Sequence, residues 1–215
     1  MNRPTSVLLV DDHAVVREGY RRLLERCPEI VVVGEAASAM EAYRKFCELQ
    51  PDVVIMDISL PDVSGVEAIR RLQLRDASVR ILVFSIHDEA IFPKRAFQAG
   101  ARGYVTKASA PEVLVDAVRS VAKGEVFLSA DVAQTLALHT VLKREDALRL
   151  LSDREFEILR LVAEGHSLQD IAERLSLAYK TIANYQSIIK QKLGVDTSVQ
   201  LIRFAAENGL LAPDR

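Results

Sequence analysis

The chain has 215 residues, 49% of them hydrophobic and 27% charged, and its formal net charge is −2. This length suits one or two domains that can each bury a core. A net charge so close to zero argues against a generally basic nucleic-acid-binding protein, so any contact with nucleic acid must be local. No run of about 18 apolar residues is present, and the polar segment Met1–Ser6 is unlike a signal peptide. We therefore expect no membrane span and no membrane partner.

The two cysteines, Cys27 and Cys47, each lie in a helical pattern without a C-x-x-C spacing or a nearby histidine that could complete a metal site. Proteins of oxidising compartments use paired cysteine frameworks, which this chain lacks. We predict reduced thiols inside a cytoplasmic protein.

Up to residue 124, short apolar segments alternate with amphipathic ones. The apolar segments predict strands at Val7–Val10, Val31–Ala36, Val53–Met56, Arg80–Phe84 and Gly103–Thr106. The hydrophobic residues between them recur at helical spacing, which predicts helices at His13–Glu25, Ser38–Leu49, Val66–Leu74, Asp88–Ala99 and Pro111–Lys123. Five strand–helix units in succession predict an α/β fold, a doubly wound five-stranded parallel sheet with helices on both faces.

Polar residues follow these strands at the points where they end. Val53–Met56 is too short for a helix and too apolar for a surface strand, so we interpret it as a strand buried on both faces, and it ends in Asp57. Three of the other strands end in Asp11-Asp12, Ser85 and Lys107. Parallel strands place their carboxyl ends at one edge of the sheet, where open α/β folds bind ligands. We therefore expect carboxylates, a hydroxyl and an ammonium group to meet there.

The next segment has a different character. Val126–Leu138 can form a short helix, whereas His139–Leu148 is mixed and charged. We interpret residues 125–147 as a partly helical linker between a first domain, residues 1–124, and a second domain, residues 148–215.

The second domain is predicted to be all-helical. Its first helix opens at Ser152-Asp153-Arg154-Glu155, a capping box, and ends at Gly165. Further helices are predicted at Leu168–Leu175, Lys180–Leu193 and Thr197–Asn208. Two short helices separated by a tight turn are typical of helix-turn-helix architecture.

The helix Lys180–Leu193 has two different faces when it is wound at about 100° per residue. One face carries Ile182, Tyr185 and Ile189, and the opposite face carries small or amide side chains. Two interpretations remain open: a solvated surface, or a helix that enters the major groove of DNA, where amides pair with adenine and lysines meet phosphates. On the second interpretation the DNA-contacting residues are Lys180, Thr181, Ala183, Asn184, Ser187, Lys190, Gln191 and Lys192.

The chain resembles the NarL/FixJ family of bacterial two-component response regulators along nearly its whole length. The first domain resembles a receiver domain through Asp11-Asp12, Asp57, the Pro61/Gly65 spacing, Ser85 and Lys107, in that order. The second resembles a LuxR-type helix-turn-helix through L-S-D-R-E, A-E-G, I-A-E-R-L-S-L, K-T-I and K-L-G-V. The resemblance implies a flavodoxin-like receiver joined to a DNA-binding domain that regulates transcription.

The resemblance implies that Asp57 accepts a phosphoryl group from a sensor histidine kinase. It assigns Lys107 and Ser85 to the binding of that group, and Ser85 and Tyr104 to the switch that follows. It also implies a Mg²⁺ cofactor, an ion suited to oxygen ligands beside a phosphate, held by Asp11, Asp12, Asp57 and the backbone carbonyl of Ser59. The implied partners are the kinase, double-stranded DNA, a second copy of the chain upon phosphorylation and, as a further candidate, RNA polymerase.

Some positions depart from the family pattern. Ala108 follows Lys107 where many receivers have proline, and the sequence leaves the isomer of this bond open. Ala183 and Ser187 stand where several relatives carry lysine, so no operator sequence can be carried over. His87 follows Ser85 by two residues and could tune loss of the phosphoryl group, but we prefer to interpret it, like His13, as an exposed residue.

Three other classes of protein fit parts of the sequence. A hydrolase of the haloacid-dehalogenase kind would need a second aspartate two residues after Asp57, where Ser59 stands. An interaction module that had lost phosphorylation would be expected to lack Asp57 or Lys107. An autoinducer receptor would need a ligand pocket, for which residues 1–124 show no pattern. We therefore expect a regulator and not an enzyme.

Overall fold

The computed structural model describes residues 3–141, 147–208 and 210. The chain divides into two compact units, Met1–Lys143 and Arg144–Arg215. None of the helices within the described ranges is long and apolar enough to cross a lipid bilayer.

The first unit is a parallel sheet flanked by helices. Its described strands are β1 (Thr5–Val10), β2 (Ile30–Ala36), β3 (Val53–Met56), β4 (Ile81–Ser85), β5 (Gly103–Thr106) and β6 (Phe127–Leu128). They pair in the order β2-β1-β3-β4-β5-β6, and every pair is parallel. The helices are α1 (Ala14–Glu25), α2 (Ala39–Leu49), α3 (Gly65–Arg75), α4 (Ile91–Ala99), α5 (Pro111–Ala122) and α6 (Ala130–Val141). The predicted α/β parallel architecture is confirmed.

The central strands are buried because the elements around them cover both faces of the sheet. Every residue of β3 and β4 is buried, and so are the last four residues of β1, Val7–Val10. Continuous apolar runs are what a sheet covered on both faces requires. The first polar residues after β1 and β3, Asp11 and Asp57, are therefore delivered to the carboxyl edge.

The predicted number of strands was too small by one. The N–H of Phe127 donates to the carbonyl of Arg102 at 3.0 Å, and the N–H of Ser129 donates to the carbonyl of Tyr104 at 3.0 Å. Gly124, with a φ of 85°, ends the helical path after α5, and the chain returns alongside β5. A strand of two residues has no alternation of its own, so the sequence pattern could not show it.

Much of the segment predicted as linker therefore packs with the first unit. The helix predicted within Val126–Leu138 is α6, at Ala130–Val141, and its Val132 is fully buried. This explains why the two units divide after Lys143 and not near residue 124. The remaining linker residues, 142–146, lie outside the described residues.

The helix predicted at Asp88–Ala99 begins later, at Ile91. Pro93 lies within its first turn, where the missing N–H of proline costs no helical hydrogen bond. The preceding residues form the loop that leads out of β4.

The second unit is built from helices, as predicted. A short 3-10 turn at Ala147–Leu150 precedes α7 (Asp153–Ala163), α8 (Leu168–Arg174), α9 (Tyr179–Leu193) and α10 (Ser198–Glu207). Reciprocal capping boxes begin α7, α8 and α10, through the pairs Ser152/Glu155, Ser167/Asp170 and Thr197/Gln200. A tight turn between α8 and α9 completes the predicted helix-turn-helix.

Gly65, the first residue of α3, packs directly against the turn that carries Asp57. A Cβ atom on Gly65 would lie 2.1 Å from the carbonyl oxygen of Asp57 and 2.6 Å from the Cα atom of Ile58. The N–H of Gly65 donates to the carbonyl of Ile58 at 2.8 Å. Only glycine allows α3 to hold this turn so closely.

We predict that Gly65→Ala lowers the free energy of unfolding by about 1–3 kcal/mol, because the added methyl group must push backbone atoms apart. Gly19→Ala is the matched control: Gly19 lies in α1, where a Cβ atom would meet nothing within 4 Å. This second change should raise the stability by about 0.5–1 kcal/mol. Urea unfolding followed by circular dichroism measures both, and equal stabilities would contradict the packing role of Gly65.

Candidate functional sites

The carboxyl edge of the sheet brings together three of the expected side chains, those of Asp11, Asp57 and Lys107. Asp11 and Asp57 follow β1 and β3, and each is 3% exposed. The N–H of Asp57 donates to the carbonyl of Val10 at 3.0 Å, and the N–H of Lys107 donates to the carbonyl of Ser85 at 2.7 Å. Backbone pairing between neighbouring strands thus fixes the position of Asp57 and Lys107 along the sheet edge.

Lys107 joins the two buried carboxylates. Its Nζ atom lies 2.6 Å from Oδ2 of Asp11 and 2.6 Å from Oδ2 of Asp57. The bond from Lys107 to Ala108, which the sequence left open, is trans, since none of the peptide bonds in the described ranges is cis.

Burial and charge act in opposite directions on this pair. Burial raises the pKa of the Asp57 carboxyl, and the Lys107 ammonium opposes this shift without cancelling it. Burial acts to lower the pKa of Lys107, but the carboxylates of Asp57 and Asp11 outweigh it and the pKa rises. The edge therefore holds a charged lysine beside the Asp57 carboxyl, whose ionised form is destabilised by burial. A further cation would stabilise this ionised form.

Asp12 offers a place for such a cation. Its Oδ1 atom is buried and accepts no hydrogen bond, although Nδ1 of His13 lies 2.7 Å away. Donor atoms of Asp11, Asp12 and His13 lie within 4.8 Å of one another. A buried carboxylate oxygen without a donor can be satisfied by a hard cation. The residues present thus fit a divalent ion, although the predicted ligands Asp57 and Ser59 lie outside this three-residue cluster.

Ser59 and Asp62 anchor the loop after β3, and the role of Asp62 was not expected from the sequence. The N–H of Ser59 donates to Oδ1 of Asp57 at 3.1 Å. Asp62 accepts hydrogen bonds from the N–H groups of Ala39 and Met40 at 2.9 and 3.0 Å, so its charge lies at the N-terminus of α2. Asp62 follows a proline and has the appearance of an ordinary turn residue, and its partners are remote in sequence.

Ser85, Tyr104 and His87 form a connected group beside the edge. Tyr104 is fully buried, and its hydroxyl donates to the carbonyl of His87 at 2.7 Å. The N–H of His87 lies 3.3 Å from Oγ of Ser85. The His87 ring stacks on Phe92 with centroids 4.2 Å apart, and its Nε2 lies 3.1 Å from Oγ of Ser59. The interpretation of His87 as an exposed residue is wrong, because its side chain is only 13% exposed.

Helix α6 contacts both β5 and α4. Oγ1 of Thr106, the residue before Lys107, donates to Oδ2 of Asp131 at 2.6 Å. Further along α6, Nδ1 of His139 lies 2.8 Å from Nζ of Lys94. Asp131 and His139 lie in the segment predicted to be a linker, so these contacts were not expected.

The helix α9 presents most of the predicted DNA-contacting residues to solvent. Ile182 and Ile189 are buried on the opposite face, as expected. Among the predicted contacts, Thr181, Ala183 and Lys190 are half-buried, and the exposed ones are Lys180, Asn184, Ser187, Gln191 and Lys192. The hydroxyl of Ser187 donates to the carbonyl of Ala183 at 3.1 Å, so it is turned back toward the helix.

Lys192 already has a partner within the second unit. Its Nζ atom lies 2.7 Å from Oε2 of Glu155, and the same oxygen accepts a hydrogen bond from the N–H of Ser152 at 2.7 Å. Burial acts to raise the pKa of Glu155, but Lys192 and the bonds to Ser152 outweigh it and hold the pKa below its usual value. Glu155 thus joins the first turn of α7 to the last turn of α9.

Two family models match the chain. The model described as "Response regulator receiver domain" matches residues 7–119, which include the carboxyl edge. The model described as "Bacterial regulatory proteins, luxR family" matches residues 149–205, which include α7, α8 and α9.

Individual relatives agree with these matches. "Response regulator UvrY" of Escherichia coli strain K12 is 39% identical over 207 residues, covering 95% of each chain. A LuxR-family two-component response regulator from Aurantimonas sp. SI85-9A1 is 48% identical, with a TM-score of 0.63, over 64% of this chain and 99% of that one. RcsB from Salmonella enterica serovar Typhimurium, bound to promoter P1flhDC with the phosphomimetic BeF3−, is 27% identical, with a TM-score of 0.71, over 95% of this chain and 100% of that one. The chain belongs to the NarL/FixJ family of two-component response regulators, DNA-binding transcription regulators that join a receiver domain to a LuxR-type helix-turn-helix domain.

Proposed function

We propose that the second unit binds promoter DNA under the control of phosphorylation at Asp57. The observation that carries this proposal is the ammonium of Lys107, 2.6 Å from the buried carboxylates of Asp57 and Asp11. The arrangement places a fixed cation beside a carboxylate nucleophile, as phosphoryl transfer requires. The donor is a phosphohistidine on a sensor histidine kinase. The protein is a regulator that is modified, not an enzyme that turns over a substrate.

Mg²⁺ is the proposed cofactor, held by the carboxylates of Asp11, Asp12 and Asp57 and by the backbone carbonyl of Ser59. The buried Oδ1 atom of Asp12, which accepts no hydrogen bond, and the all-oxygen donor set support this ion. When bound, Mg²⁺ supplies positive charge that offsets the charge on the transferring phosphoryl oxygens. His13 borders the site, but a hard cation prefers oxygen to its imidazole nitrogen.

In the transfer step, a carboxylate oxygen of Asp57 attacks the phosphorus atom in line with the histidine nitrogen of the kinase. The new P–O bond forms as the P–N bond breaks, and the leaving imidazole keeps the bonding electron pair. The ammonium of Lys107 is positioned to neutralise charge on the phosphoryl oxygens.

Ser85 and Tyr104 are the proposed switch. After transfer, the hydroxyl of Ser85 donates to the new phosphate. Because Ser85 and Tyr104 both bond the backbone of His87, a shift of Ser85 moves the loop that holds the Tyr104 hydroxyl. The signal then reaches the surface formed by this loop and the neighbouring helices, where it favours a homodimer.

Helix α9 is the proposed DNA-reading element, and it enters the major groove. The exposed amide of Asn184 suits bidentate pairing with adenine, while Ala183 and Ser187 permit close approach to the bases. Lysines suit the phosphates, although Lys192 must exchange Glu155 for a phosphate to take part. The remaining proposed contacts are Lys180, Thr181, Lys190 and Gln191. The promoter-bound RcsB relative supports DNA binding by the second unit. RNA polymerase is a further candidate partner.

The proposed place of action is the cytoplasm, where a bacterial regulator meets DNA. Cys27 and Cys47 are both free thiols, which suits a reducing compartment.

We predict that Asp57 is the sole phosphoacceptor. Acetyl phosphate with MgCl2 should add one phosphoryl group to the wild type and none to Asp57→Asn, because the amide is a poor nucleophile. Asp62→Asn is the matched control, since Asp62 lies in the same loop but caps α2, and it should be labelled like the wild type. Intact-protein mass spectrometry measures the added phosphoryl group, and equal labelling of Asp57→Asn would contradict the assignment of Asp57 as the phosphoacceptor.

Asp57→Asn should also unfold at a higher temperature than the wild type at pH 7 in EDTA. Folding raises the pKa of Asp57, so its ionised form costs stability above that pKa. The gain should shrink as the pH falls through the raised pKa of Asp57 and disappear below about pH 3, where the carboxyl is protonated in both the folded and the unfolded state. Calorimetry resolves the sign of the gain, since about 1 kcal/mol of unfolding free energy corresponds to about 2–4 °C for a chain of this size.

Differential scanning calorimetry at several pH values measures this gain. The variant leaves Lys107 paired with Asp11, so no ammonium is left without a carboxylate. A variant less stable than the wild type at pH 7 would mean that the attraction of Lys107 outweighs the burial of Asp57.

Two substitutions in α9 should affect DNA binding differently. Asn184→Ala should relax base preference at one position per half-site, at about 1–3 kcal/mol. Lys180→Ala should weaken all sequences alike and reduce the slope of log affinity against log salt by about one. Binding to a panel of single-base operator variants at several salt concentrations separates the two effects. Uniform weakening by Asn184→Ala would contradict its role in reading bases.

A further inference from the structure

Arg17 of α1 donates a hydrogen bond to the backbone of the acidic edge. Its Nη1 atom lies 2.6 Å from the carbonyl oxygen of Asp11, and its side chain is only 16% exposed. The backbone N–H of Arg17 bonds the carbonyl of His13 at 3.0 Å as α1 begins, so the carbonyl of Asp11 lies before the helical ladder. The guanidinium therefore supplies a charged donor to a carbonyl that the helix does not use.

The end of β2 fixes this guanidinium. Nε of Arg17 lies 3.4 Å from Oε2 of Glu35, and Nη1 of Arg21 lies 2.9 Å from Oε1 of the same carboxylate. The next residue, Ala36, accepts a hydrogen bond from the N–H of Asp11 at 3.0 Å. The same strand end thus holds Asp11 on both sides, directly at its N–H and through Arg17 at its carbonyl.

The carbonyl of Asp11 belongs to the peptide group that leads into Asp12. Rotation of this peptide would swing the Asp12 carboxylate relative to the Asp11 carboxylate. The latter is held separately, by the N–H of His13 at 2.8 Å and by Lys107 at 2.6 Å. The mutual orientation of the two carboxylates therefore depends on a hydrogen bond made outside the pocket.

We propose that Arg17 is a positioning residue for the divalent cation: it orients the Asp11–Asp12 peptide so that both carboxylates face one ion. This inference rests on the proposed function of the acidic edge as a Mg²⁺ site. Arg17 acts through the backbone of Asp11 and is not itself a ligand. Groups that orient metal ligands from outside change metal affinity by about 10–100-fold when they are removed.

A purely electrostatic role of Arg17 would have the opposite sign. A positive charge close to Asp11 and Asp12 repels a cation, so loss of that charge alone would strengthen cation binding. Loss of orientation weakens binding instead. The direction of the change separates the two roles.

The test is Mg²⁺ binding by the full chain, measured by isothermal titration calorimetry with MgCl2 and no phosphoryl donor. Arg17→Met removes the donors and the charge but keeps an unbranched stem, and its affinity should be about tenfold or more below that of the wild type. Arg17→Lys keeps the charge but not the fork of donors, so its affinity should lie between the two. Arg21→Met is the matched control, because Arg21 also faces Glu35 but bonds Glu25 in place of Asp11.

Each outcome decides the proposal. It is overturned if Arg17→Met changes the affinity by less than about threefold or strengthens binding, or if Arg21→Met weakens binding equally. If circular dichroism shows that Arg17→Met does not fold, Arg17→Lys decides, and an affinity within about twofold of the wild type overturns the proposal. Absence of Mg²⁺ binding by the wild type would contradict the proposed Mg²⁺ site and the role of Arg17 together. Normal binding by every variant would contradict the role of Arg17 alone.

Discussion

The free-energy cost of burying charge at the carboxyl edge governs the chemistry proposed for the receiver unit. Two almost fully buried carboxylates, Asp11 and Asp57, share one ammonium, that of Lys107. With Asp12 beside them, negative charge is in excess, and an unbalanced charge away from water is expensive. Burial raises the pKa of Asp57, and the proposed cation and phosphoryl group would both bind where this charge is costly.

The contents of the edge were predictable because a parallel sheet converts a pattern along the chain into a position in space. An apolar run such as Val53–Met56 must lie inside the sheet, so the polar residue that ends it must lie at the edge. The same reasoning located Ser85 and Lys107. Capping boxes such as Ser152/Glu155 were predictable for a different reason, since both partners lie within one helical turn of sequence.

Pairings between residues distant in the chain were not predictable. Lys192 has the appearance of an exposed helix lysine, and nothing local marks Glu155 as its partner. Asp62 has the appearance of a turn residue, although it holds the start of α2. The burial of His87 depends on the ring of Phe92 in the following helix. In each case tertiary packing, and not the neighbouring sequence, decides the role of the side chain.

Strand β6 determines where the receiver unit can be cut. Because β6 pairs with β5, the strand that carries Tyr104 and Thr106 has a neighbour on each side. A fragment ending at residue 124 would lose β6, leave part of the β5 backbone open to other chains and release Thr106 from Asp131. Such a fragment would be prone to edge-to-edge aggregation beside the proposed phosphorylation site, whereas one that ends after α6 would keep this edge covered.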